Sequence, residues 1–219
     1  KMRQAFNAAL DMEKILLAAY SHETFYRLDS GYVFPEQEDW YSDAGDDRYN
    51  QNDPELAQRL MEEAGYDGEE ILLMISRDYE QMYNAGVVIQ EQLESVGMNV
   101  TIEVVDWPTQ QDRMHHPDQH DAFITFFTTV ATPLHLLYLN SSWPGWTDDP
   151  DISSLLNDIS SAESMEEAKD SWDQLQDRAY TYLPVANLGH AYSFNGLSNK
   201  LDGYEYFLGP NLWNTTISE

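Results

Sequence analysis

Between Ile71 and Val104 the hydrophobic period changes twice, and that change leaves few folds open. Ile71 to Ile75 is an unbroken apolar run of strand length. Ala85, Val88, Ile89, Leu93 and Val96 then recur at the spacing of a helix face, and Gly97 closes it. Met98, Val100, Ile102 and Val104 alternate with polar residues, as in a half-buried strand. Strand, helix and strand within so short a span form a βαβ unit, two parallel strands joined by a right-handed crossover. The fold class is therefore α/β.

The flanking chain adds helices. Residues 2–20 read as helix broken at Asp11, whose carboxylate caps a second segment carrying Ile15, Leu16 and Ala19. Asp53-Pro54 is a strong start, with Asp as N-cap and Pro at the first helical position. Leu56, Ala57, Leu60, Met61 and Ala64 form its apolar stripe, and Gly65 is the left-handed stop. Residues 108–114 read as a short helix and Ala122 to Phe127 as a third strand. Ser164-x-x-Glu167 is a capping box for a helix with Ala168, Trp172, Leu175, Ala179 and Tyr182 on one face; Pro184 ends it. Residues 185–195 read as a strand, and the rest is turn-rich. Residues 21–52 show no period. They hold Gly31, Pro35 and Gly45 among Tyr32, Phe34, Trp40, Tyr41 and Tyr49, and a loop this long is usually functional.

Charge narrows the partners. The chain has 39 acids against 11 bases, a formal net charge of −28. Nucleic acid demands a basic footprint, and four Lys and seven Arg form none, so no nucleic-acid partner is expected. Anionic membrane surfaces are excluded on the same ground. The acids are spread from Asp11 to Glu219 among core-like residues, the acidic coat expected of a soluble domain from a high-salt habitat, with an acidic mesophilic protein as the alternative. With no cysteine, thiol catalysis, Cys-ligated zinc and disulfides are all excluded.

Against this background one stretch stands apart. From Ala122 through Thr147 there is no Asp, Glu, Lys or Arg, where the chain's 23% charged residues would place about six. Thr125, Thr128, Thr129, Thr132, Pro133 and Asn140-Ser141-Ser142 make it too polar and too interrupted to span a membrane. Either a buried strand runs into a covered loop, or the loop faces a ligand beyond a strand's carboxyl end, where open α/β sheets bind.

Catalytic signatures are missing. There is no G-x-S-x-G elbow, no P-loop and no dinucleotide glycine motif. Carboxylate pairs are so frequent that none stands out as a glycosidase dyad. His115, His116 and His120 with Asp118 and Asp121 offer metal-ligating side chains, but Pro117 keeps them off one helix face. No metal and no cofactor are expected.

Several stretches, in order, resemble one family. Met2-Arg3-Gln4-Ala5-Phe6-Asn7-Ala8-Ala9-Leu10-Asp11-Met12-Glu13-Lys14-Ile15, the Asp53 to Tyr66 helix, Ile89 to Trp107, and Tyr182-Leu183-Pro184-Val185 are similar to segments of family 5 extracellular solute-binding proteins. These are the peptide- and nickel-class receptors of ABC importers. The resemblance implies a periplasmic-binding-protein-like lobe with a mixed, mainly parallel sheet flanked by helices, half of a two-lobed receptor that closes on its ligand. Residues 1–184 match the second lobe, and 185–219 the segment that returns to a first lobe absent from this chain. The protein would be a non-enzymatic substrate-binding component capturing an oligopeptide or related small molecule for ABC permease subunits. It would work outside the cell, tethered to the membrane by an N-terminal anchor not present here.

The same resemblance directs attention to the uncharged stretch. In peptide-binding relatives the third strand leads into a loop with a Trp and an Asp, the Asp pairing with the peptide's α-amino group. Phe127 matches the Trp position, and the Asp position falls on Thr129 or Val130, so no acid is there. An ammonium without a carboxylate partner is poorly stabilised. A neutral oligosaccharide stacked on aromatics is therefore the alternative ligand, and a carboxylate-dependent hydrolase the competing class. The expected contact residues are Phe127, Thr128, Thr129 and Thr132, with Trp40, Trp143 and Trp146 as stacking surfaces.

Overall fold

The computed structural model describes residues 1–206 and 210–218. The chain opens with α1 (Met2–Ala9) and α2 (Met12–Tyr20). They part at Leu10-Asp11, where the Asp11 carboxylate accepts from the Lys14 amide at 3.1 Å. A two-residue strand β1 (Tyr26–Arg27) begins the long irregular segment. Then come α3 (Pro54–Ala64), β2 (Glu70–Ser76), α4 (Glu80–Ser95), β3 (Asn99–Val105), α5 (Trp107–Arg113) and β4 (Ala122–Phe123). α6 (Pro150–Ser161) and α7 (Met165–Tyr182) follow. β5 (His190–Ala191), β6 (Leu201–Asp202), β7 (Glu205–Tyr206), β8 (Pro210–Asn211) and β9 (Thr216–Ile217) are all two residues long.

The βαβ unit forms as its period requires. β2 pairs in parallel with β3 from Glu70↔Asn99 to Ser76↔Val105, and β4 lies parallel on the other side of β2, giving the order β3-β2-β4. The three-stranded sheet is wholly parallel; the antiparallel pairs are the short ladders β1–β5, β6–β9 and β7–β8.

Two expectations of strand length are cut short. β4 ends at Phe123 rather than Phe127, because the Gln110 side chain donates to the Ile124 carbonyl at 2.8 Å, occupying an acceptor that a ladder would use. In the 185–195 segment only His190 and Ala191 pair as a strand. Upstream, Asn187 turns its amide onto the Asp29 carbonyl at 3.1 Å, and Gly189 sits at φ 132°, where an added Cβ would come within 2.7 Å of the Arg27 carbonyl. α6 was not expected at all, although Asp149-Pro150 repeats the Asp-Pro start of α3; the Asp149 carboxylate accepts from the Asp151 and Ile152 amides at 3.1 and 3.0 Å.

Two apolar clusters result. The first gathers Ala5 and Ala8 of α1, Leu10 at the break, and Ile15, Leu73, Ile75, Ile89 and Leu93 from α2, α4 and the sheet. The second gathers Trp172, Leu175 and Tyr180 of α7, Ile152 and Ile159 of α6, and Tyr32, Val33, Tyr138 and Leu139 from loops. Thus the irregular segment is not a free loop: Tyr32 and Val33 are buried in the second core, and Trp40 and Tyr49 pack against it. Among the described residues no helix is long and apolar enough to cross a membrane.

Candidate functional site

The carboxyl ends of β2, β3 and β4 lie side by side, as parallel pairing demands. Each strand delivers an aromatic residue two or three positions beyond its end: Tyr79, Trp107 and Phe126. The three rings meet. Trp107 and Phe126 stack with centroids 5.7 Å apart and planes 8° apart, and Tyr79 stands edge-on to both at 5.0 and 5.4 Å. Offset and edge-to-face contacts of this kind add to plain apolar burial.

Polar groups hold the trio in place. The Asp78 carboxylate accepts from the Trp107 amide at 2.7 Å, tying the β2 exit to the start of α5. Asp106 caps α5 by accepting from the Thr109 amide at 2.8 Å, and the Thr109 hydroxyl together with that amide holds its carboxyl below the usual range. Gln110 is fully buried; its nitrogen serves Ile124, and its Oε1 has no partner among the described residues. Phe126 itself stays 49% exposed, so the stack presents an open aromatic face.

Of the residues expected from sequence, Phe127 and Trp143 come together at 5.1 Å. Phe127 also meets Tyr138 at 5.2 Å, and Trp143 meets Phe123 at 5.9 Å, so an aromatic run leads from β4 into the second core. Thr128 and Thr129 are exposed beside it. The Thr132 hydroxyl is buried without a partner among the described residues, at the start of a single turn over Pro133–His135. Trp146 lies apart, at φ 42° and 6.5 Å from the His120 ring. Trp40 lines a cleft of about 400 Å³ with Glu36, Gln37, Glu38, Asp39 and Ala131. Gln37 straps the two walls, its amide donating to the Val130 carbonyl at 2.7 Å.

The uncharged stretch therefore borders charge. Glu36, Glu38 and Asp39 stand across the cleft from Ala131, the residue after Val130 in the chain. Glu36 is held ionised by Arg27, whose guanidinium donates to it at 2.9 and 3.2 Å. Sequence reasoning missed both this and the trio. Tyr79 and Trp107 were legible only once the ends of β2 and β3 were set level.

His120 is buried against Phe123 at 5.2 Å, and burial holds its imidazole below the ordinary value. Among the described residues no three His, Asp or Glu side chains gather as a metal would require.

Known proteins resemble this chain along most of its length. The sequence model described as bacterial extracellular solute-binding proteins, family 5 middle, matches residues 1–156. A probable peptide ABC transporter periplasmic-binding protein, y4tO of Sinorhizobium fredii, is 26% identical over 98% of the chain and 42% of its own length. The oligopeptide-binding protein AppA of Bacillus subtilis, solved in complex with a nonapeptide, superposes with a TM-score of 0.79 at 18% identity, over 100% of this chain and 47% of that one. A periplasmic oligopeptide-binding protein of Thermotoga maritima with mannohexaose bound superposes at 0.70 and 21% identity, over 84% and 39%. The chain thus spans under half the length of these relatives.

Proposed function

The chain belongs to the bacterial extracellular solute-binding proteins of family 5, and from that premise we propose that it is one lobe of the substrate-binding component of an ABC importer. The aromatic trio at the carboxyl edge of the parallel sheet carries this reading. Such an edge is where open α/β sheets bind ligands, and an exposed stack there offers an apolar contact face. The ligand is an oligopeptide or related small molecule, gripped between this lobe and the rest of the protein by a hinge motion and passed to permease subunits.

Residues 1–184 act as the second lobe and 185–219 as the segment returning to the first. Uncovered apolar side chains on that segment support the division: Phe194, Leu212, Trp213 and Ile217 are 65%, 65%, 92% and 76% exposed. The protein works outside the cytoplasmic membrane, held to it by an anchor preceding this chain, and it does not turn its ligand over. Within the lobe, Phe127, Thr128, Thr129, Thr132 and Trp143 flank the trio's exit loop, Trp40 forms the far wall, and Trp146 is an outlying stacking surface. A peptide's ammonium group would meet Glu36, Glu38 or Asp39 in place of a loop carboxylate. The second reading, a neutral oligosaccharide, draws on the run Phe123–Trp143–Phe127, which offers ring faces without charge.

Titration calorimetry of the full-length protein with short peptides and with neutral oligosaccharides tests both. Trp107→Ala removes the centre of the stack and should weaken binding by about two- to tenfold, as one aromatic contact of roughly 0.5–1.5 kcal/mol implies. Unchanged affinity in that variant, or turnover of the ligand, would sink the proposal.

A further inference from the structure

Residues 187–192 close against the 25–36 segment through a short, dense set of bonds. His190 lies opposite Arg27 and Ala191 opposite Tyr26 in the antiparallel ladder, and the Tyr192 amide donates to the Phe25 carbonyl at 2.9 Å. The Tyr49 hydroxyl donates to the Leu188 carbonyl at 3.1 Å. His190 sits at the centre, 7% exposed, with its ring edge-on to Phe34 at 4.3 Å. Its Nε2 is 2.7 Å from the Gly31 carbonyl. A carbonyl only accepts, so Nε2 carries the proton. The other ring nitrogen, Nδ1, is buried with no partner among the described residues.

That arrangement suits a neutral imidazole and no other state. Protonation turns Nδ1 into an N–H donor with nothing to receive it, and adds a charge where burial is nearly complete. The groups around it do not offer a ready remedy. Arg27 on β1 already engages Glu36 at 2.9 Å and approaches Asp29 at 3.5 Å. Tyr192, next along the chain, lies under the Arg27 guanidinium at 5.9 Å, and Tyr49 is committed to Leu188. Burial is the largest influence and holds the imidazole below its ordinary value. The Gly31 bond, Asp29 and Glu36 pull the other way, and Arg27 adds to the lowering.

We propose that His190 is a proton-operated latch, which clasps residues 187–192 to the 25–36 segment while its ring is neutral and releases them on acidification. The release reaches the cleft. Phe34 packs on the His190 ring, Glu36 is bonded by Arg27, and both lead directly into the Glu36–Trp40 wall opposite Ala131. The latch itself stands without any ligand; only its effect on ligand grip rests on the function proposed above.

The sign follows from linkage. A base whose folded pKa lies below its unfolded value, near 6.5, leaves stability intact above about pH 6.5. Stability is then lost as pH falls, until the folded value is passed. One proton changes an opening equilibrium by at most about tenfold per pH unit.

Hydrogen-exchange mass spectrometry of the protein between pH 7.5 and 5.5, corrected for intrinsic exchange, reads this directly. Peptides over 25–31 and 187–192 should lose protection several-fold below about pH 6.5, relative to α4. His190→Gln keeps an N–H aimed at Gly31 but cannot titrate, and should flatten that dependence. Should the variant fold poorly, NMR titration of the wild-type imidazole replaces it, with a midpoint below 6.5 expected. The latch is overturned by a wild-type profile as flat as that of α4, by an equal slope in the variant, or by an imidazole titrating at or above 6.5. Loosening of 25–31 and 187–192 with residues 34–40 unmoved would uphold the latch and refute its reach to the cleft.

Discussion

Gln176 decides whether the long irregular segment belongs to the fold. Its side chain is fully buried on α7 and makes three bonds to backbone far away in sequence. Oε1 accepts from the Tyr32 amide at 3.1 Å, and Nε2 donates to the Ser42 and Ala44 carbonyls, each at 2.9 Å. Gln176→Leu keeps the approximate volume and removes all three. Ala44 is partly exposed and can bond to water, but the sites at Tyr32 and Ser42 are buried. Two buried groups left unpaired cost about 1–3 kcal/mol each. The apolar replacement offsets roughly 1 kcal/mol by burying hydrocarbon where an amide stood. The net loss is about 3 kcal/mol, a large part of the roughly 5–15 kcal/mol that holds a domain together. Denaturant unfolding followed by fluorescence measures it, and hydrogen exchange over 32–44 locates it. A loss below about 1 kcal/mol, with protection of 32–44 unchanged, would refute the reasoning. It would mean that packing of Tyr32 and Val33 holds the segment without its polar anchor.

Two further substitutions probe features that order the rest. Asp149→Ala removes both the cap of α6 and the partner of Arg178, which bonds the carboxylate at 2.6 and 3.2 Å. A loss of about 2 kcal/mol is expected, roughly half from the cap and half from a partly exposed ion pair. Arg178 holds the Asp149 carboxyl below the usual range, so this contribution is present above about pH 4 and disappears as pH falls through the lower folded value. Acid unfolding curves of wild type and variant should therefore converge. Gly86→Ala places a Cβ 2.9 Å from Ile75 Cγ2 and 3.0 Å from Cδ1, on a side chain with no exposed surface. The helix gains about 1 kcal/mol in propensity, but overpacking costs about 1–3 kcal/mol. Net destabilisation, only partly relieved by Ile75→Val because valine removes Cδ1 but keeps Cγ2, is the outcome to look for in thermal melts.

The parts legible in sequence were those encoded by neighbours. Asp11, Asp53 and Ser164 announced helix starts because a cap bonds amides two or three residues ahead, and the period of Ile71 to Val104 announced parallel strands for a similar reason. α6 carries the same local signal at Asp149-Pro150, so its start too is encoded by neighbours. The early end of β4 was different in kind. It depends on Gln110, fourteen residues away, filling the Ile124 carbonyl, and no local propensity reports that.

By itself the sequence determined the helices, the parallel pair and an acidic chain with one uncharged stretch. Spacing along the chain sets each of these. Only the tertiary structure decided which rings form the exposed edge, and that three acids from residues 36–39 face the stretch that has none. Strand ends become level through the register of β2 with β3 and β4, and the 36–40 wall is held by Gln37 and Gln176 reaching partners some ninety and more than one hundred and thirty residues distant. Contacts of that range carry no periodic trace, because the chain between them is free to vary.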